Sequence, residues 1–221
     1  NQWTNDEVDE QTLFTWKFIQ YKFFEQWSEI KKYANKNGVK IIGDLPFYVS
    51  YDSCDAWSHP RLYQLDKRKR PECVAGVPPD YFSEDGQMWG NPLYNWSEMK
   101  KDGYKWWKER MEHMFKMFDV VRIDHFRGIE SYYSIPSGAQ NAKEGKWKKG
   151  PGRELIDVIN SVKGDNAVIA EDLGDITEDV QALVEYSGFP GMRVFQFGFF
   201  GGDTPHKPHN YINNCVAYSG T

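Results

Sequence analysis

The arrangement that most constrains the fold is a repeated alternation between segments of helical period and short, continuously apolar runs. Apolar side chains recur at helical spacing from Leu13 to Ile30, and Gly38 supplies a stop of the kind that ends helices. Residues 39–43 then form a short, mostly apolar run. Continuous apolar strands that alternate with helices are typical of a parallel sheet covered on both faces. The sequence therefore predicts an α/β fold built on such a sheet.

The same alternation continues along the chain. Asp102 is the predicted cap of a helix that runs to Phe118. A further helix ends at Gly164, and another begins at Thr177 and ends near Tyr186. The strands predicted after these helices, with a weaker one near the end of the sequence, are residues 120–123, 167–170, 194–197 and 215–218.

Two missing signatures help to choose between α/β folds. Neither the GxGxxG pattern of dinucleotide-binding sheets nor the GxxxxGK[ST] pattern of nucleotide triphosphatases occurs in the sequence. A (β/α)8 TIM barrel is therefore favoured, although such a barrel has eight strands in about 250 residues and only five are predicted here. The prediction is that residues 1–221 form an incomplete central segment of a barrel, with residues 45–101 as an inserted loop subdomain.

Composition excludes several classes of partner. The net charge of -5 lacks the Lys and Arg surplus that neutralises phosphates, so we expect no nucleic acid. Two basic tracts, residues 67–70 and 143–149, are predicted to be solvated loops. The three cysteines show no CxxC spacing and are expected to be free thiols, which fits a cytoplasmic protein. No apolar run approaches the roughly 18 residues of a membrane span.

Three carboxylates follow three of the predicted strands. Asp44, Asp124 and Glu171 each come directly after an apolar run. Because parallel α/β folds place their reactive groups at the carboxyl ends of strands, these side chains are expected to lie close together. Two carboxylates over one cavity are the minimum equipment for breaking a glycosidic bond. The pattern favours sugar transfer or hydrolysis.

A cation distinguishes the acids from one another. Arg122 lies two residues before Asp124 and therefore shares its face of the strand, where it would hold that carboxylate ionised, as a nucleophile requires. Glu171 follows Ala-Val-Ile-Ala, a drier setting that favours the protonated form of an acid. His125 and Arg127 add polar groups beside Asp124. A buried Arg122–Asp124 ion pair without chemistry is the alternative interpretation.

Longer motifs point to a known family. The sequence resembles 4-α-glucanotransferases of the amylomaltase or disproportionating-enzyme type in several segments, in the same order, from about Trp16 to the end. These segments are GDLPFYV (residues 43–49), GVPPDYFSEDGQMWGNPLY (76–94), RIDHFRG (122–128), AEDLG (170–174) and PGMRVFQF (190–197). The resemblance implies a (β/α)8 barrel that transfers α-1,4-glucan segments between maltooligosaccharides by a retaining double displacement. It implies neither a cofactor nor a metal.

The family pattern also assigns roles to residues. It makes Asp124 the nucleophile, Glu171 the acid/base, and Arg122 the residue that orients the nucleophile. Within the insertion it matches a segment that covers the active site and lines the glucan path. The residues expected to bind substrate are Asp44, Asp80, Tyr81, Phe82, Gln87, Trp89 and His125.

Most other aromatic residues are expected to be ordinary core, including the stripe from Phe14 to Trp27. His206 and His209 lie in a Pro-rich segment without a third ligand, and we expect a mobile surface loop there. In the family a Ser-Gly-Thr such as residues 219–221 is followed by His-Asp, whose Asp is a third catalytic carboxylate. We therefore expect the 221 residues alone to be inactive; turnover of maltotriose by them would contradict this expectation.

Two other functions fit part of the same pattern. An α-amylase-like retaining hydrolase would share the barrel and the acids but pass the sugar to water, so its products would only be shorter glucans. A non-catalytic glucan-binding protein would keep the aromatic residues without the chemistry. The presence of Asp124, Glu171 and Arg122 together counts against the second alternative.

Overall fold

The computed structural model describes residues 9–80 and 83–220, and within them it contains both parallel and antiparallel sheets. The helices are α1 (Glu10–Lys36), α2 (Cys54–Ser58), α3 (Trp96–Lys101), α4 (Lys105–Met117), α5 (Arg153–Lys163) and α6 (Glu178–Ser187). The strands are β1 (Ile42–Leu45), β2 (Cys73–Val77), β3 (Gln87–Pro92), β4 (Val120–Ile123), β5 (Ser131–Pro136), β6 (Lys146–Lys149), β7 (Ala167–Ala170), β8 (Gly191–Val194) and β9 (Cys215–Tyr218).

Five strands are parallel, which confirms the predicted α/β class. β1, β4 and β7 form one ladder in that order, and β8 pairs with β9 in a second ladder. The amide of Ala170 donates to the carbonyl of Pro190 at 2.9 Å, so the end of β7 lies beside the start of β8. Helices α4, α5 and α6 precede β4, β7 and β8 along the chain. The carboxyl ends of β1, β4 and β7 therefore meet at one edge.

Two strand predictions were displaced. β1 begins at Ile42, so Asp44 lies inside the strand and not after the predicted run of residues 39–43. The predicted strand 194–197 is wrong, because β8 ends at Val194 and a 3-10 turn occupies Phe195–Phe199. Gly191 explains the earlier start of β8: an added Cβ there would lie 2.3 Å from a carboxylate oxygen of Asp172, so the approach of β8 needs a glycine.

The first helix differs from its prediction in burial. α1 runs to Lys36 and ends before Gly38 as predicted, but none of its residues is buried within the described part of the chain. Trp27 contacts α4 by donating its indole N–H to the carbonyl of Met117 at 2.8 Å. The aromatic stripe that includes Phe14 (62% exposed) was predicted to be core and is not. The reason is that only one flank of α1 packs on α4.

The other helices lie close to their predicted positions. α5 ends before Gly164, and Thr177 caps α6 by accepting from the amide of Val180. The predicted cap of α4 is wrong: Tyr104, in a left-handed conformation, occupies that place, while Asp102 ends α3 and accepts from the amide of Lys105.

An antiparallel sheet that the sequence did not predict stands beside the parallel strands. Its order is β3-β2-β5-β6, so residues 45–101 supply two strands and the segment after β4 supplies the other two. The basic tract 143–149, predicted to be a loop, ends in the exposed edge strand β6. Charged lysines on a sheet edge discourage pairing with another chain.

The main core lies between the parallel strands, helices α4 and α5, and the segment that follows β1. Trp107, Val121 and Ile123 have no exposed surface, and Phe47 and Tyr94 have 1% each. The hydroxyl of Tyr94 donates to the carbonyl of Phe47 at 2.6 Å, which fixes the chain just beyond β1. In the described residues, no helix is both long and apolar enough to cross a membrane.

Candidate active site

The parallel register brings the predicted polar residues to one edge of the sheet. Asp44 on β1 is paired with Arg122 on β4, and Asp124 follows β4 by one residue. Glu171 follows β7, whose last residue Ala170 is paired with Ile123. Because alternate residues of a strand share a face, Arg122 and Asp124 point to the same side.

Arg122 is the centre of the ionic contacts. Its Nη1 lies 2.6 Å from Oδ1 of Asp44, and its Nη2 lies 2.9 Å from Oδ1 of Asp124. The third donor, Nε, contacts the sulfur of Met192 at 3.3 Å. Burial opposes a charge here, but the carboxylates of Asp44 and Asp124 outweigh it and raise the pKa of Arg122. The guanidinium is therefore a permanent cation held on three sides.

Glu171 sits in a different environment. Its Oε2 accepts from the amide of His125 at 2.7 Å, and its Oε1 accepts from the amide of Leu173 at 2.8 Å. Burial raises the pKa of this carboxyl, and the charge of Asp124 adds to the rise, while the two amide hydrogen bonds and Arg122 oppose it. The net upward shift makes Glu171 the acid that holds a proton more readily than an exposed glutamate does.

Backbone hydrogen bonds fix this edge beyond the ends of the strands. The amide of Glu171 donates to Ile123 at 3.1 Å, and the amide of Phe126 donates to the carbonyl of Glu171 at 3.2 Å. The amide of Asp124 donates to the carbonyl of Leu45 at 3.0 Å. The backbone of each acid is thus hydrogen-bonded to the neighbouring strand, that of Asp124 to β1 and that of Glu171 to β4.

His125 adopts an uncommon backbone conformation that serves the neighbouring acid. Its φ of 52° is in the left-handed region, and this turn aims its amide at Glu171. Its ring lies among the rings of Phe47, Tyr48 and Trp89, the last at 4.9 Å between centroids. Burial, helped by the charge of Arg127, lowers the pKa of His125 to about 4.

The imidazole is consequently neutral at neutral pH. Its Nε2 is buried and has no hydrogen-bond partner among the residues that the structure describes. A neutral imidazole nitrogen donates or accepts one hydrogen bond according to its tautomer, so it can bind a sugar hydroxyl without introducing charge.

The predicted covering segment reaches the site through Trp89. The ring of Trp89 contacts the ring of His125, and its indole N–H donates to Oε1 of Gln87 at 3.0 Å. Trp89 and Gln87, both predicted to bind substrate, therefore lie beside the loop that carries Asp124. Asp80 accepts from the amide of Ser83 at 2.8 Å in its own turn. Tyr81 and Phe82 fall outside the described residues.

Two residues that contact the site, Met192 and Asp172, were not predicted from the sequence. Met192 touches Arg122, and Asp172 accepts from the amide of Met192 at 2.6 Å. Both residues lie within motifs that carried the family resemblance, AEDLG and PGMRVFQF. The signal that could have found Asp172 is its place directly after Glu171, since adjacent acids that leave a strand point in different directions.

The histidines of the Pro-rich segment do not form a metal site. In the described ranges no cluster of three or more His, Cys, Asp or Glu residues has the geometry to hold a metal ion. His206 is anchored and not the free loop residue we expected, because its Nδ1 accepts from the amide of Val194 at 3.1 Å. Burial and the neighbouring Arg193 lower the pKa of His206, which suits this acceptor role.

Comparison with known proteins agrees with the geometry. A family model described as 4-alpha-glucanotransferase, of glycoside hydrolase family 77, matches residues 2–221. The 4-alpha-glucanotransferase of Clostridium butyricum is 50% identical over 219 residues, which are 98% of this chain and 45% of that protein. The structure of amylomaltase from Streptococcus agalactiae in complex with acarbose is 48% identical, with a TM-score of 0.88 over 91% of this chain and 41% of that one.

A more distant structure supports the fold. Amylomaltase from Corynebacterium glutamicum is 22% identical and has a TM-score of 0.83, covering 100% of this chain and 31% of that chain. The chain thus has the mixed α/β fold of amylomaltases and spans less than half the length of these relatives. Since the family model matches almost the whole sequence, the chain belongs to the 4-alpha-glucanotransferase family.

Proposed function

We propose that this chain carries the nucleophile and the acid/base of a retaining 4-α-glucanotransferase. The observation that supports the proposal most strongly is the contrast between two neighbouring carboxyl groups. Asp124 is held by the cation of Arg122 at 2.9 Å, whereas burial raises the pKa of Glu171. A retaining mechanism requires two such groups, one carboxylate held in position to attack and one carboxyl that holds a proton for the leaving oxygen.

The first half of the reaction forms a covalent intermediate. A carboxylate oxygen of Asp124 attacks the anomeric carbon of the donor glucan, and the bond from that carbon to the glycosidic oxygen breaks. Protonated Glu171 gives its proton to the departing oxygen, so the leaving chain departs as a neutral alcohol. Arg122 holds the attacking carboxylate in one orientation.

The second half passes the sugar to an acceptor. Glu171, now ionised, removes the proton from the 4-hydroxyl of an acceptor glucan, and that oxygen attacks the anomeric carbon. The ester bond to Asp124 breaks, which restores the free carboxylate and leaves an α-1,4 bond. Both of the amides that bind Glu171 can donate to it in either charge state, because each carboxyl oxygen keeps a lone pair when the group is protonated.

Transfer requires that water is kept from the intermediate. We assign this task to residues 45–101, in which the ring of Trp89 lies 4.9 Å from the ring of His125, the residue after Asp124. Asp44, Asp80, Tyr81, Phe82, Gln87 and His125 complete the proposed substrate-binding set. The carboxylate of Asp44 is shared with Arg122 and is 61% exposed, so it remains open to a sugar hydroxyl.

The proposal extends to the whole protein. Its barrel would be a (β/α)8 TIM barrel of which residues 1–221 form a central segment, and its substrates would be maltooligosaccharides and other α-1,4-glucans. The solved relative bound to acarbose supports this class of ligand. Location in the cytoplasm stays a prediction from the sequence.

The products made from maltotriose test the proposal. The whole protein that carries this chain is expected to yield glucose together with chains longer than maltotriose, because the intermediate is passed to sugar. Products that are only shorter would indicate hydrolysis instead. Asp124→Asn is expected to lower the rate by roughly 10⁴-fold or more, as removal of a nucleophile does elsewhere. Asp179→Asn, which removes an exposed carboxylate on α6, is the matched control.

A further inference from the structure

We infer that Asp172 is a positioning residue for the nucleophile, acting through Met192 and Arg122. The inference rests on the proposed function, because it assigns a task within that site. Asp172 is not among the residues to which the family resemblance assigned a role, although it follows Glu171 directly in the sequence. Its contacts nevertheless lead to the other acid.

The contacts of Asp172 fix the start of β8. Its Oδ1 accepts from the amide of Met192 at 2.6 Å, and its Oδ2 pairs with Nη1 of Arg193 at 3.0 Å. The side chain of Asp172 is only 9% exposed, and that of Arg193 is 12% exposed. A buried carboxylate with a cation and an amide as partners holds its position more firmly than an exposed pair does.

Gly191 shows how closely β8 is held. An added Cβ at this residue would lie 2.3 Å from Oδ2 of Asp172, so the strand backbone rests directly against the carboxylate. The amide of Ala170 donates to the carbonyl of Pro190 one residue earlier. The position of Met192 is thus set by a backbone that Asp172 and β7 hold from the same side.

Met192 transmits this position to the site. Met192 is 2% exposed, and its sulfur accepts a hydrogen bond from Nε of Arg122 at 3.3 Å. The guanidinium is planar, so fixing Nε fixes the directions of Nη1 and Nη2 toward Asp44 and Asp124. Without the sulfur, the plane of Arg122 would be held only by its contacts with Asp44 and Asp124. Its contact with β8 would be lost, and Nη2 would then hold the nucleophile less rigidly.

Asp172 and Glu171 therefore have different tasks although they are adjacent. Asp172 supports the position of Asp124, whereas Glu171 is the acid that donates the proton. Glu171 is held by the amides of His125 and Leu173, and none of its described contacts passes through β8. Loss of Asp172 should accordingly slow attack by Asp124 and leave proton donation by Glu171 intact. This difference can be measured.

Two conservative variants isolate the path. Asp172→Asn keeps an oxygen that can accept from the amide of Met192 but removes the charge that pairs with Arg193. Met192→Leu keeps volume and removes the sulfur, a change that cores tolerate well. Both are made in the whole protein, and Asp179→Asn on the surface of α6 is the control. Thermal melting of each variant reports any loss of folding.

The rate of attack is isolated with α-maltosyl fluoride as donor, since fluoride departs with little need of a proton. We expect Met192→Leu and Asp172→Asn to slow formation of the glycosyl-enzyme from this donor by about 10- to 100-fold, with little change in KM. Glu171→Gln should largely keep this step. The double variant should be no slower than the slower single variant, because both act along one path.

Three results would overturn the inference: an unchanged fluoride rate in Met192→Leu, a loss seen only with maltotriose, or additive effects in the double variant. The proposed function is tested separately by Asp124→Asn on the same donor. If that variant is inactive while Met192→Leu and Asp172→Asn match the unchanged protein, only the role of Asp172 fails. If Asp124→Asn forms the glycosyl-enzyme at the normal rate, the proposed function fails as well.

Discussion

At the scale of single residues, the two carboxyl groups of the site differ in the kind of hydrogen-bond donor that contacts them. Asp124 accepts from a charged guanidinium nitrogen, and Glu171 accepts from two neutral backbone amides. A full charge favours the ionised acid more than neutral donors do, and burial works against ionisation where no cation contacts the group. The parallel register brings the two acids together, and the placement of Arg122 on β4 gives the direct cationic contact to Asp124 and not to Glu171.

The protonation of Glu171 should depend on the charge of its partner acid. Burial is the main cause of its raised pKa, and the carboxylate of Asp124 is a further one. Asp124→Asn is thus expected to lower the pKa of Glu171, while Asp179→Asn leaves it unchanged. Carboxyl NMR with labelled glutamate would measure both, with the signal assigned by its loss in Glu171→Gln. The same pKa in Asp124→Asn and the unchanged protein would show that the two acids do not interact.

The buried His125 links stability to pH. Its folded pKa is about 4, below the value of about 6.5 expected in the unfolded chain, because burial disfavours the charged ring. A depressed folded pKa means that the unfolded state takes up the proton first as the pH falls. The stabilising contribution of this residue is therefore complete above about pH 6.5 and is lost as the pH falls through about 4.

Replacement of His125 should make the unfolding free energy less dependent on pH in this window. Asn is the suitable substitute, since it tolerates the left-handed backbone of this position. Urea unfolding at pH 7, 6 and 5 would give the slope for the unchanged protein and for His125→Asn. His209→Asn, which removes an exposed imidazole, is the control. Equal slopes in the unchanged protein and His125→Asn would refute the linkage.

At the scale of helices and strands, short apolar runs bounded by polar residues were predictable. Residues 120–123 and 167–170 match β4 and β7 because strands inside a parallel sheet are largely apolar, and Arg122 is the one charged residue in either strand. The run at 194–197 misled because Phe195 and Phe197 have strand-like character, yet the strand starts at Gly191, where Asp172 requires close approach. That requirement comes from a residue nearly twenty positions away, so no local pattern contains it.

Gly43 has a comparable role in β1. An added Cβ there would lie 2.1 Å from the ring of Phe118, at the point where the end of α4 packs on the strand. Gly43→Ala is therefore expected to lower the free energy of unfolding by about 1–3 kcal/mol through overpacking. Urea unfolding would measure the change. Gly138→Ala is the matched control, because an added Cβ at Gly138 meets no atom within 4 Å; similar losses in both variants would contradict this account.

At the scale of the whole molecule, the edge that carries the proposed catalytic acids was easier to predict than the segment proposed to cover it. Asp44, Asp124 and Glu171 converge because parallel strands carry their ends to one place, and that rule applies to the sequence directly. The antiparallel sheet joins strands on both sides of β4, β2 with β5, so its pairing depends on residues far apart. The aromatic composition of residues 45–101 indicated a covering segment but could not predict that this segment forms strands.

The proposed covering segment, residues 45–101, leads to a prediction about whether sugar or water accepts the glucosyl group. Trp89 is 38% exposed on one side and contacts His125 on the other, so it can stand between solvent and the loop that carries Asp124. Transfer prevails over hydrolysis only while water is excluded from the intermediate and an acceptor sugar is bound. Removing this ring should weaken both conditions without touching either acid.

Trp89→Ala in the whole protein is expected to raise the ratio of hydrolysis to transfer by about 10-fold, a change of roughly 1.4 kcal/mol between the two barriers. The ratio is measured with maltotriose from the net gain of reducing ends relative to products longer than the substrate. Trp89→Phe keeps an aromatic ring over His125 and should stay near the unchanged ratio. If Trp89→Ala leaves the ratio unchanged, water is excluded by other residues of the segment 45–101. If the ratio rises equally in Trp89→Ala and Trp89→Phe, the effect comes from the hydrogen bond between Trp89 and Gln87 and not from the aromatic ring.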